Sequence, residues 1–376
     1  MTSKKKIVFI TSTRADFGKM KSVINEVYKN KKFDPQIFVT GMHMDKKFGS
    51  TWVEVTKVFK KLKIVKFKNK NEKQGFDIAF SNTIKEFSRF IKKVKPNLII
   101  VHGDRLEALA AAIVGSINQV LVAHIEGGER SGTVDEHIRH SITKLSHLHF
   151  VSNSEAKKRL IKLGEDRKKI FITGSPDIDL MKLNKLPSFQ EVQKRYGLKF
   201  QNYILFMFHP VTGQINKLGK QMDILVKAIK SSKMNTVIIY PNNDPGYNLI
   251  IKKIKKNFKN PEKFKTFLSM RFEYFLRTLK ESSLIIGNSS AGFYEAPVFG
   301  VPTINVGNRQ KNRGNFKSIY NVDFNQQRII NLIKLLNKKK FKNLKIFGKG
   351  NSAKVISQIL LKKTTWDTYF QKQIKY

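Results

Sequence analysis

Residues 98–125, LIIVHGDRLEALAAAIVGSINQVLVAHI, contain two short apolar runs separated by a stretch of helix length. The runs at residues 98–101 and 120–125 are rich in Val, Ile and Leu without polar alternation, which is typical of strands buried on both faces of a parallel sheet. Residues 106–117 between them predict a helix. The stretch therefore predicts a strand, a helix and a second strand, the repeating unit of an α/β fold.

The same rhythm extends through the rest of the chain. In the first half it predicts strands at residues 7–10, 37–39, 149–151 and 170–173, and helices at residues 20–30 and 81–95. After a polar, proline-containing stretch it predicts strands at residues 203–208, 236–240, 284–286 and 303–306, and helices at residues 218–231, 272–279 and 328–337. We expect an α/β protein of two doubly wound Rossmann-like domains, at residues 1–180 and 181–351, with an amphipathic C-terminal segment at 352–376 that crosses back to the first domain.

The composition bounds the class of protein. The chain has 376 residues, of which 40% are hydrophobic, so two domains can each bury a core. It has no cysteine, which excludes disulfide scaffolds, thiolate zinc sites and cysteine nucleophiles. None of the histidines shows a metal-binding spacing such as HExxH, and we expect no metal.

The charge is strongly basic, with 72 Lys+Arg against 28 Asp+Glu, a net charge of +44. Such a balance first suggests a polyanion partner. However, 59 of the cations are lysines spread along the whole chain and only 13 are arginines, whereas nucleic-acid readers use local arginine forks and aromatic stacking. A compositional bias explains diffuse lysine equally well, so we predict no nucleic-acid partner.

No apolar run approaches the roughly 18 residues needed to span a membrane, and we expect no membrane partner. The apolar stretch at residues 7–10 is too short for a signal peptide, so a cytoplasmic protein is expected.

Ligands of open α/β sheets bind beyond the carboxyl ends of the strands, so the residues that follow each predicted strand are the candidates. Residues 11–18, TSTRADFG, allow a tight turn into a helix, whose N–H groups and dipole favour an anion. Arg14 adds a fork suited to phosphate oxygens. The turn is neither a GxGxxG nor a P-loop, and an ordinary strand–helix turn is the alternative.

Three carboxylates follow the next strands of the first domain: Asp104, Glu126 and Asp135. Each has a plainer interpretation, since Asp104 could form an ion pair with Arg105 and Asp135 could be a helix N-cap. Together they could converge on one sugar-sized site, because paired carboxylates are the usual basis of general acid–base chemistry.

In the second domain, residues 287–292, GNSSAG, follow a strand and predict a diphosphate cradle at a helix N-terminus. The hydroxyls of Ser289 and Ser290 would donate to phosphate, and Gly292 would permit close approach. Glu295, expected on the same helix, would suit ribose hydroxyls. An ordinary capped helix is the alternative for this motif, and His209 at another strand end could be merely structural.

The ordered set of motifs resembles the UDP-N-acetylglucosamine 2-epimerase family, and most closely its hydrolysing branch, which makes N-acetylmannosamine for sialic acid synthesis. The stretches that carry the resemblance run in family order over nearly the whole chain: TSTRADFGKM, HGDRLEALAAA, AHIEGGERSGTVDEHIRHSITKLSHLHFVSN, ITGSPDIDL, FHP, YPNNDPG and IGNSSAGFYEAPVFGVPTINVGNRQKNR. The chain departs from the family pattern at Ser12 and Ala291, where relatives have glycine.

The resemblance implies a GT-B fold that binds a nucleotide sugar in the cleft between its domains, without a cofactor or metal, and a homodimer or homotetramer. It implies that Asp104, Glu126 and Asp135 are the catalytic carboxylates. It also implies contacts to UDP from Arg14, Arg105, His209, Asn242, Met270, Phe275, Ser289, Ser290, Gly292, Glu295 and Arg309.

The implied reaction is the conversion of UDP-N-acetylglucosamine and water into N-acetylmannosamine and UDP, through elimination to 2-acetamidoglucal and then hydration. An alternative substrate within the branch is UDP- or GDP-linked N,N'-diacetylbacillosamine, used in legionaminic acid synthesis. A non-hydrolysing epimerase and a GT-B glycosyltransferase are further alternatives.

Overall fold

In a computed structural model that describes residues 4–69, 75–182 and 186–374, the alternation of strands and helices builds two wholly parallel sheets. The chain divides into two units. Among the described residues, unit 1 contains 4–69, 75–129, 135–182 and 346–374, and unit 2 contains 130–134 and 186–345. The predicted fold class, two doubly wound α/β domains, is confirmed.

The sheet of unit 1 has the order β3-β2-β1-β4-β5-β6-β7. Its strands are β1 (Lys5–Thr11), β2 (Phe33–Val39), β3 (Lys63–Lys66), β4 (Leu98–His102), β5 (Leu121–Ile125), β6 (Leu148–Val151) and β7 (Ile170–Ile172). The strand order reverses direction between β1 and β4, and this is where open α/β sheets place their ligands.

Helices cover both faces of this sheet. They are α1 (Arg14–Tyr28), α2 (Trp52–Val58), α3 (Phe76–Val94), α4 (Leu106–Ile117), α5 (Val134–Leu145), α6 (Ser154–Lys162), α7 (Pro176–Met181), α14 (Ser352–Leu360) and α15 (Lys363–Trp366). The core on one face contains Val23 of α1, Ile7 of β1 and Ile356 of α14. The C-terminal helix α14 therefore packs in the core of unit 1.

Unit 2 repeats the design with six strands, in the order β10-β9-β8-β11-β12-β13. The strands are β8 (Tyr203–Met207), β9 (Asn235–Ile239), β10 (Phe264–Phe267), β11 (Leu284–Gly287), β12 (Thr303–Val306) and β13 (Ile319–Val322). The helices are α8 (Phe189–Tyr196), α9 (Leu218–Ser231), α10 (Tyr247–Asn257), α11 (Phe272–Glu281), α12 (Glu295–Val298) and α13 (Gln326–Leu336).

The predictions of helices and strands were wrong mainly where polar side chains cap a helix or where a strand lies at the edge of its sheet. The helix predicted from residue 20 begins at Arg14, because Thr13 and Asp16 form a reciprocal capping box. The strands β3, β10 and β13 were not predicted. They are four residues long, lie at the edges of their sheets and are only partly buried, so they lack the continuous apolar run of a central strand.

Across the three described stretches of the chain, no helix combines the length and the apolar character needed to cross a membrane.

Candidate functional site

The carboxyl ends of the central strands of unit 1 carry a buried polar cluster centred on Glu126. Glu126 directly follows β5 and is 8% exposed. Its Oε2 lies 3.1 Å from Nε2 of His102, the last residue of β4, and its Oε1 accepts a hydrogen bond from the Ser175 hydroxyl. Because β4 and β5 are neighbours in the sheet, the pairing follows from the topology.

A lysine completes the cluster. The Lys19 ammonium of α1 lies 2.6 Å from Asp177 Oδ2 and 3.9 Å from Glu126 Oε2. Ser175, the N-cap of α7, precedes Pro176 at the first helical position, and this turn places Asp177 in the cluster. Removing one partner of such a buried ionic group typically costs about 3–5 kcal/mol of stability.

This environment keeps Glu126 ionised. Burial opposes its charge, but Lys19 and His102 favour it more, so the pKa of Glu126 lies well below its usual range. The backbone of Glu126 is also held in the left-handed region, with φ of 64°. A residue with a side chain adopts this conformation at a cost of order 1–3 kcal/mol, and such residues cluster at functional sites.

Gly128 lies two residues after Glu126, and the packing around it leaves no room for a side chain. Its φ is 77°, and a Cβ would lie 2.6 Å from the carbonyl oxygen of Ala156. The left-handed backbone and the close contact with α6 therefore both favour glycine at this position.

Asp104 forms an ion pair with Arg139 of α5. Arg139 is 3% exposed and also donates to the carbonyl oxygen of Glu129 at 3.1 Å. The plainer interpretation, a pair between Asp104 and its neighbour Arg105, is therefore wrong in its partner. Arg139 ties together the two loops that carry Asp104 and Glu126.

Asp135 lies in the first turn of α5, which begins at Val134. The N-cap interpretation of Asp135 is therefore wrong, although a carboxylate in a first turn still interacts favourably with the helix dipole. Asp104, Glu126 and Asp135 all lie in unit 1, the first two after neighbouring strands.

His124 connects the Asp104 loop with α5. Its Nε2 donates to the carbonyl oxygen of Gly103 at 2.8 Å, so Nδ1 accepts from the Thr143 hydroxyl at 3.1 Å. Burial lowers the pKa of His124 to about 3, which keeps the ring neutral.

The turn after β1 is preorganised by Asp16. Its carboxylate accepts from the backbone N–H and hydroxyl of Ser12 at 3.0 and 2.9 Å, and from Thr13 N–H. The serine that departs from the family pattern thus has a definite hydrogen-bonding role. Arg14 begins α1, with Nε 3.0 Å from Glu54 Oε2.

Arg105 also lies at the carboxyl end of the unit 1 sheet. It precedes α4, with Nε 3.7 Å from Glu107 Oε2. Both predicted UDP-binding arginines of unit 1, Arg14 and Arg105, are thus partly buried beside a carboxylate.

In unit 2, Asn288 organises the predicted nucleotide-binding residues. Its side chain makes two hydrogen bonds with the backbone of His209, to N–H at 2.7 Å and to the carbonyl oxygen at 2.8 Å. Its own carbonyl oxygen accepts from Gln310 at 2.7 Å and from Arg309 at 3.3 Å. Asn288 therefore joins the loops after β8, β11 and β12.

The motif at residues 287–292 does not begin an α-helix. Ser289 caps a three-residue 3₁₀ turn, Ser290–Gly292, and α12 begins separately at Glu295. The expectation that Glu295 shares one helix with Ala291 is therefore wrong. Gly292 is required by packing, since a Cβ would lie 2.5 Å from Cγ2 of Thr303.

The remaining predicted UDP contacts are spread over unit 2. Met270 and Phe275 are both buried, and Phe275 stacks on Phe272 with ring centroids 6.1 Å apart. Asn242 is half-buried in the loop after β9. Arg309 accepts a backbone hydrogen bond from Gly132, whose segment 130–134 belongs to this unit.

Sequence reasoning missed the residues that hold the candidate groups: Lys19, His102, Ser175, Asp177, Arg139 and Asn288. Their only sequence signal is position, at strand ends or in the first two turns of the following helices. Among the residues that the structure describes, no group of three or more His, Asp or Glu could hold a metal ion.

Comparison with known proteins shows which family this chain matches. The family model described as UDP-N-acetylglucosamine 2-epimerase matches residues 25–361. A protein of Neisseria meningitidis serogroup B, named UDP-N-acetylglucosamine 2-epimerase, is 43% identical over 98% of both chains. A Legionella pneumophila protein, named UDP-N,N'-diacetylbacillosamine 2-epimerase (hydrolyzing), is 33% identical over 95% of both.

The fold also matches solved structures. The Methanocaldococcus jannaschii UDP-GlcNAc 2-epimerase, solved in complex with UDP-GlcNAc and UDP, aligns with a TM-score of 0.79 over 94% of this chain and 99% of that one. The identity is 22%, so this likeness concerns the fold.

Proposed function

This chain belongs to the UDP-N-acetylglucosamine 2-epimerase family, and on that premise we propose that it is a hydrolysing 2-epimerase. It converts UDP-N-acetylglucosamine and water into N-acetylmannosamine and UDP, and so supplies sialic acid-type sugar synthesis. The observation that carries the proposal is the buried carboxylate of Glu126, held ionised beside His102 and Lys19 at the end of a central strand.

In the first step the bond between C1 and the phosphate oxygen breaks, and UDP leaves with the electron pair. A base removes the C2 proton, which leaves 2-acetamidoglucal. Positive charge develops on the sugar as UDP departs, and the ionised carboxylate of Glu126 is suited to stabilise it or to accept the proton. Asp104 and Asp135 are the other candidate proton carriers.

The departing diphosphate gains negative charge, and we assign its stabilisation within unit 2 to Arg309 and the Ser289–Ser290 turn. Loss of one such contact typically raises the barrier by about 2.7–4 kcal/mol. In unit 2, Asn288 supports this role, because it fixes the backbone of His209 and accepts from Arg309.

In the second step water adds to the glucal. Its hydroxyl bonds to C1 and a proton returns to C2 on the face that gives the inverted configuration. The product is N-acetylmannosamine, and no oxidant or reductant is consumed.

A second candidate substrate is a nucleotide-linked N,N'-diacetylbacillosamine, which the 33% identity to the Legionella pneumophila protein favours. The two substrates share the chemistry at C1 and C2, and their sugars differ in the substituents on C4 and C6.

The test is incubation of the purified protein with UDP-N-acetylglucosamine in D₂O, followed by NMR. We expect equal amounts of free UDP and N-acetylmannosamine, with deuterium at C2. UDP-N-acetylmannosamine without free UDP would instead identify a non-hydrolysing epimerase.

Parallel incubations with UDP- and GDP-linked diacetamido sugars identify the preferred substrate. Nucleotide release that is faster from one of these sugars than from UDP-N-acetylglucosamine would identify that sugar as the preferred substrate. Light scattering measures the homodimer or homotetramer that the family resemblance implies.

A further inference from the structure

The segment that follows α14 is fastened to unit 1 by two lysines. The first is Lys169, whose Nζ donates to the carbonyl oxygens of Thr364 and Asp367 at 3.1 and 3.2 Å. It also donates to the Thr368 hydroxyl at 2.7 Å. These contacts direct the chain from α15 toward the C-terminal end of α5.

The second lysine, Lys372, belongs to the segment itself and enters a socket at the end of α5. Its Nζ donates to the carbonyl oxygens of Thr143, Lys144 and Ser146 at 3.0, 3.0 and 2.7 Å. The last carbonyls of a helix lack partners within the helix, and the negative end of its dipole favours a cation. Lys372 satisfies both requirements for α5.

A fully buried carboxylate forms the floor of the socket. Glu165 pairs through Oε2 with Lys372 and with His149, whose Nε2 lies 3.0 Å away. Its Oε1 lies 2.9 Å from the ammonium of Lys144. Burying a carboxylate without such partners costs free energy of folding. Lys372 is therefore one of the cations that stabilise the buried Glu165.

A backbone contact next to Lys372 fixes the segment further. His147 Nδ1 accepts from Val122 N–H at 3.1 Å, so its Nε2 carries the proton and donates to the carbonyl oxygen of Phe370 at 3.1 Å. His147 is 4% exposed. Two buried groups, the His147 ring and the Glu165 carboxylate, therefore hold the segment at Phe370 and at Lys372.

The helix end held by Lys372 also holds the Asp104 loop. Thr143, whose carbonyl accepts from Lys372, bonds through its hydroxyl to His124, and His124 donates to Gly103. One turn earlier on the same helix, Arg139 pairs with Asp104. Lys372 is thus connected to the loop by hydrogen bonds of 3.0, 3.1 and 2.8 Å and by one helix, α5.

We propose that Lys372 is a positioning residue for the Asp104 loop. By seating the C-terminal end of α5, it holds Thr143 and Arg139 where they fix Gly103 and Asp104. The inference rests on the proposed function, in which Asp104 acts on the sugar. It assigns to the C-terminal segment a role in turnover, separate from binding of the nucleotide.

The experiment compares Lys372→Met, which keeps the length of the side chain and removes its charge, with Lys372→Arg and with the matched control Lys362→Met. Lys362 is an exposed lysine of the same segment. Because misplacement of a catalytic group by about 1 Å can cost 10²-fold, we expect Lys372→Met to lower kcat about tenfold to a hundredfold. KM should stay within about twofold, Lys372→Arg should recover most of kcat, and Lys362→Met should match the parent.

Thr143→Val provides a second variant in case Lys372→Met does not fold. It removes the hydroxyl bonded to His124 but keeps the carbonyl that accepts from Lys372, and we expect the same loss of kcat. If Lys372→Met folds and keeps the parental kcat, or if Lys362→Met lowers kcat equally, the inference is overturned. Where Lys372→Met does not fold, an unchanged kcat of Thr143→Val overturns it.

Hydrogen–deuterium exchange gives a readout that does not need turnover. We expect Lys372→Met to speed exchange at residues 103–106 as well as at the end of α5. Faster exchange confined to the end of α5 would overturn the inference. If the parent protein releases no nucleotide from any substrate, the proposed function fails, and exchange at residues 103–106 still decides the role of Lys372.

Discussion

The imidazole of His102 lies against the carboxylate of Glu126, with Nε2 3.1 Å from Oε2. The two residues are 24 apart in the chain, yet His102 ends β4 and Glu126 directly follows β5, its neighbour in the sheet. The pair therefore exists because the sheet sets β4 and β5 side by side, and it places an ionised carboxylate where open α/β sheets bind their ligands.

Glu126→Gln should keep binding of UDP and lose most turnover, because the amide retains hydrogen bonds but carries no negative charge. General acid–base groups typically contribute 10²–10⁴-fold, and we expect a loss of nucleotide release of about that size. Calorimetry with UDP and the rate of UDP release measure the two effects. Glu155→Gln, at an exposed position of α6, is the control, and unchanged UDP release by Glu126→Gln would refute the catalytic assignment.

Asn288→Ala should lower both the stability of unit 2 and its affinity for UDP. The change leaves the N–H and carbonyl of His209 without the amide, and each unsatisfied buried group costs roughly 1–3 kcal/mol. Urea unfolding and UDP calorimetry measure these effects. Asn248→Ala, at an exposed position of α10, is the control. If Asn288→Ala matches that control in UDP affinity, Asn288 does not organise the nucleotide site.

Gly128→Ala should destabilise the protein, whereas Gly219→Ala should not. The first requires a side chain at φ of 77° and 2.6 Å from Ala156 O, while the second adds a methyl that meets no atom within 4 Å. Gly219 lies in the first turn of α9, where alanine is favoured over glycine by up to about 1 kcal/mol. Thermal unfolding of both variants tests this contrast. Equal melting temperatures would mean that α6 yields readily at this contact.

Acidification should destabilise the protein through its buried histidines. Burial lowers the pKa of His43 to about 4, below the ordinary value of 6.5. As pH falls below 6.5 the unfolded state takes up the proton first, so stability is lost between about pH 6.5 and 4, by up to about 1.4 kcal/mol per pH unit for this residue. Glutamates whose pKa values are lowered in the folded state lose their contribution to stability at a lower pH.

His43→Gln isolates this contribution. The variant lacks the titrating ring, so its free energy of unfolding should approach that of the parent as pH falls from 7 to 5. Urea unfolding at several pH values measures the difference. A difference that stays constant across this range would show that His43 does not titrate as its burial requires.

Much of the fold could be predicted because central strands and long helices have strong local patterns. Residues 98–101 and 303–306 lie within or match observed strands, since burial on both faces demands a continuous apolar run. The turn at residues 289–292 could not be assigned correctly from its composition. Small hydroxyl residues suit a 3₁₀ turn and a helix N-terminus equally, and contacts such as that between Gly292 and Thr303 decide between them.

The residues of the candidate site likewise divide into those with a local sequence pattern and those without one. Asp104, Glu126 and the GNSSAG motif could be proposed as candidates from the sequence, because each lies at the carboxyl end of a recognisable strand. The partners of these residues could not. Arg139 rather than the adjacent Arg105 pairs with Asp104, and Lys19 and Asp177 meet beside Glu126 from α1 and α7. Local periodicity reports which face of an element is buried, whereas a side-chain pairing depends on strand order and helix placement, which arise only when the whole chain packs.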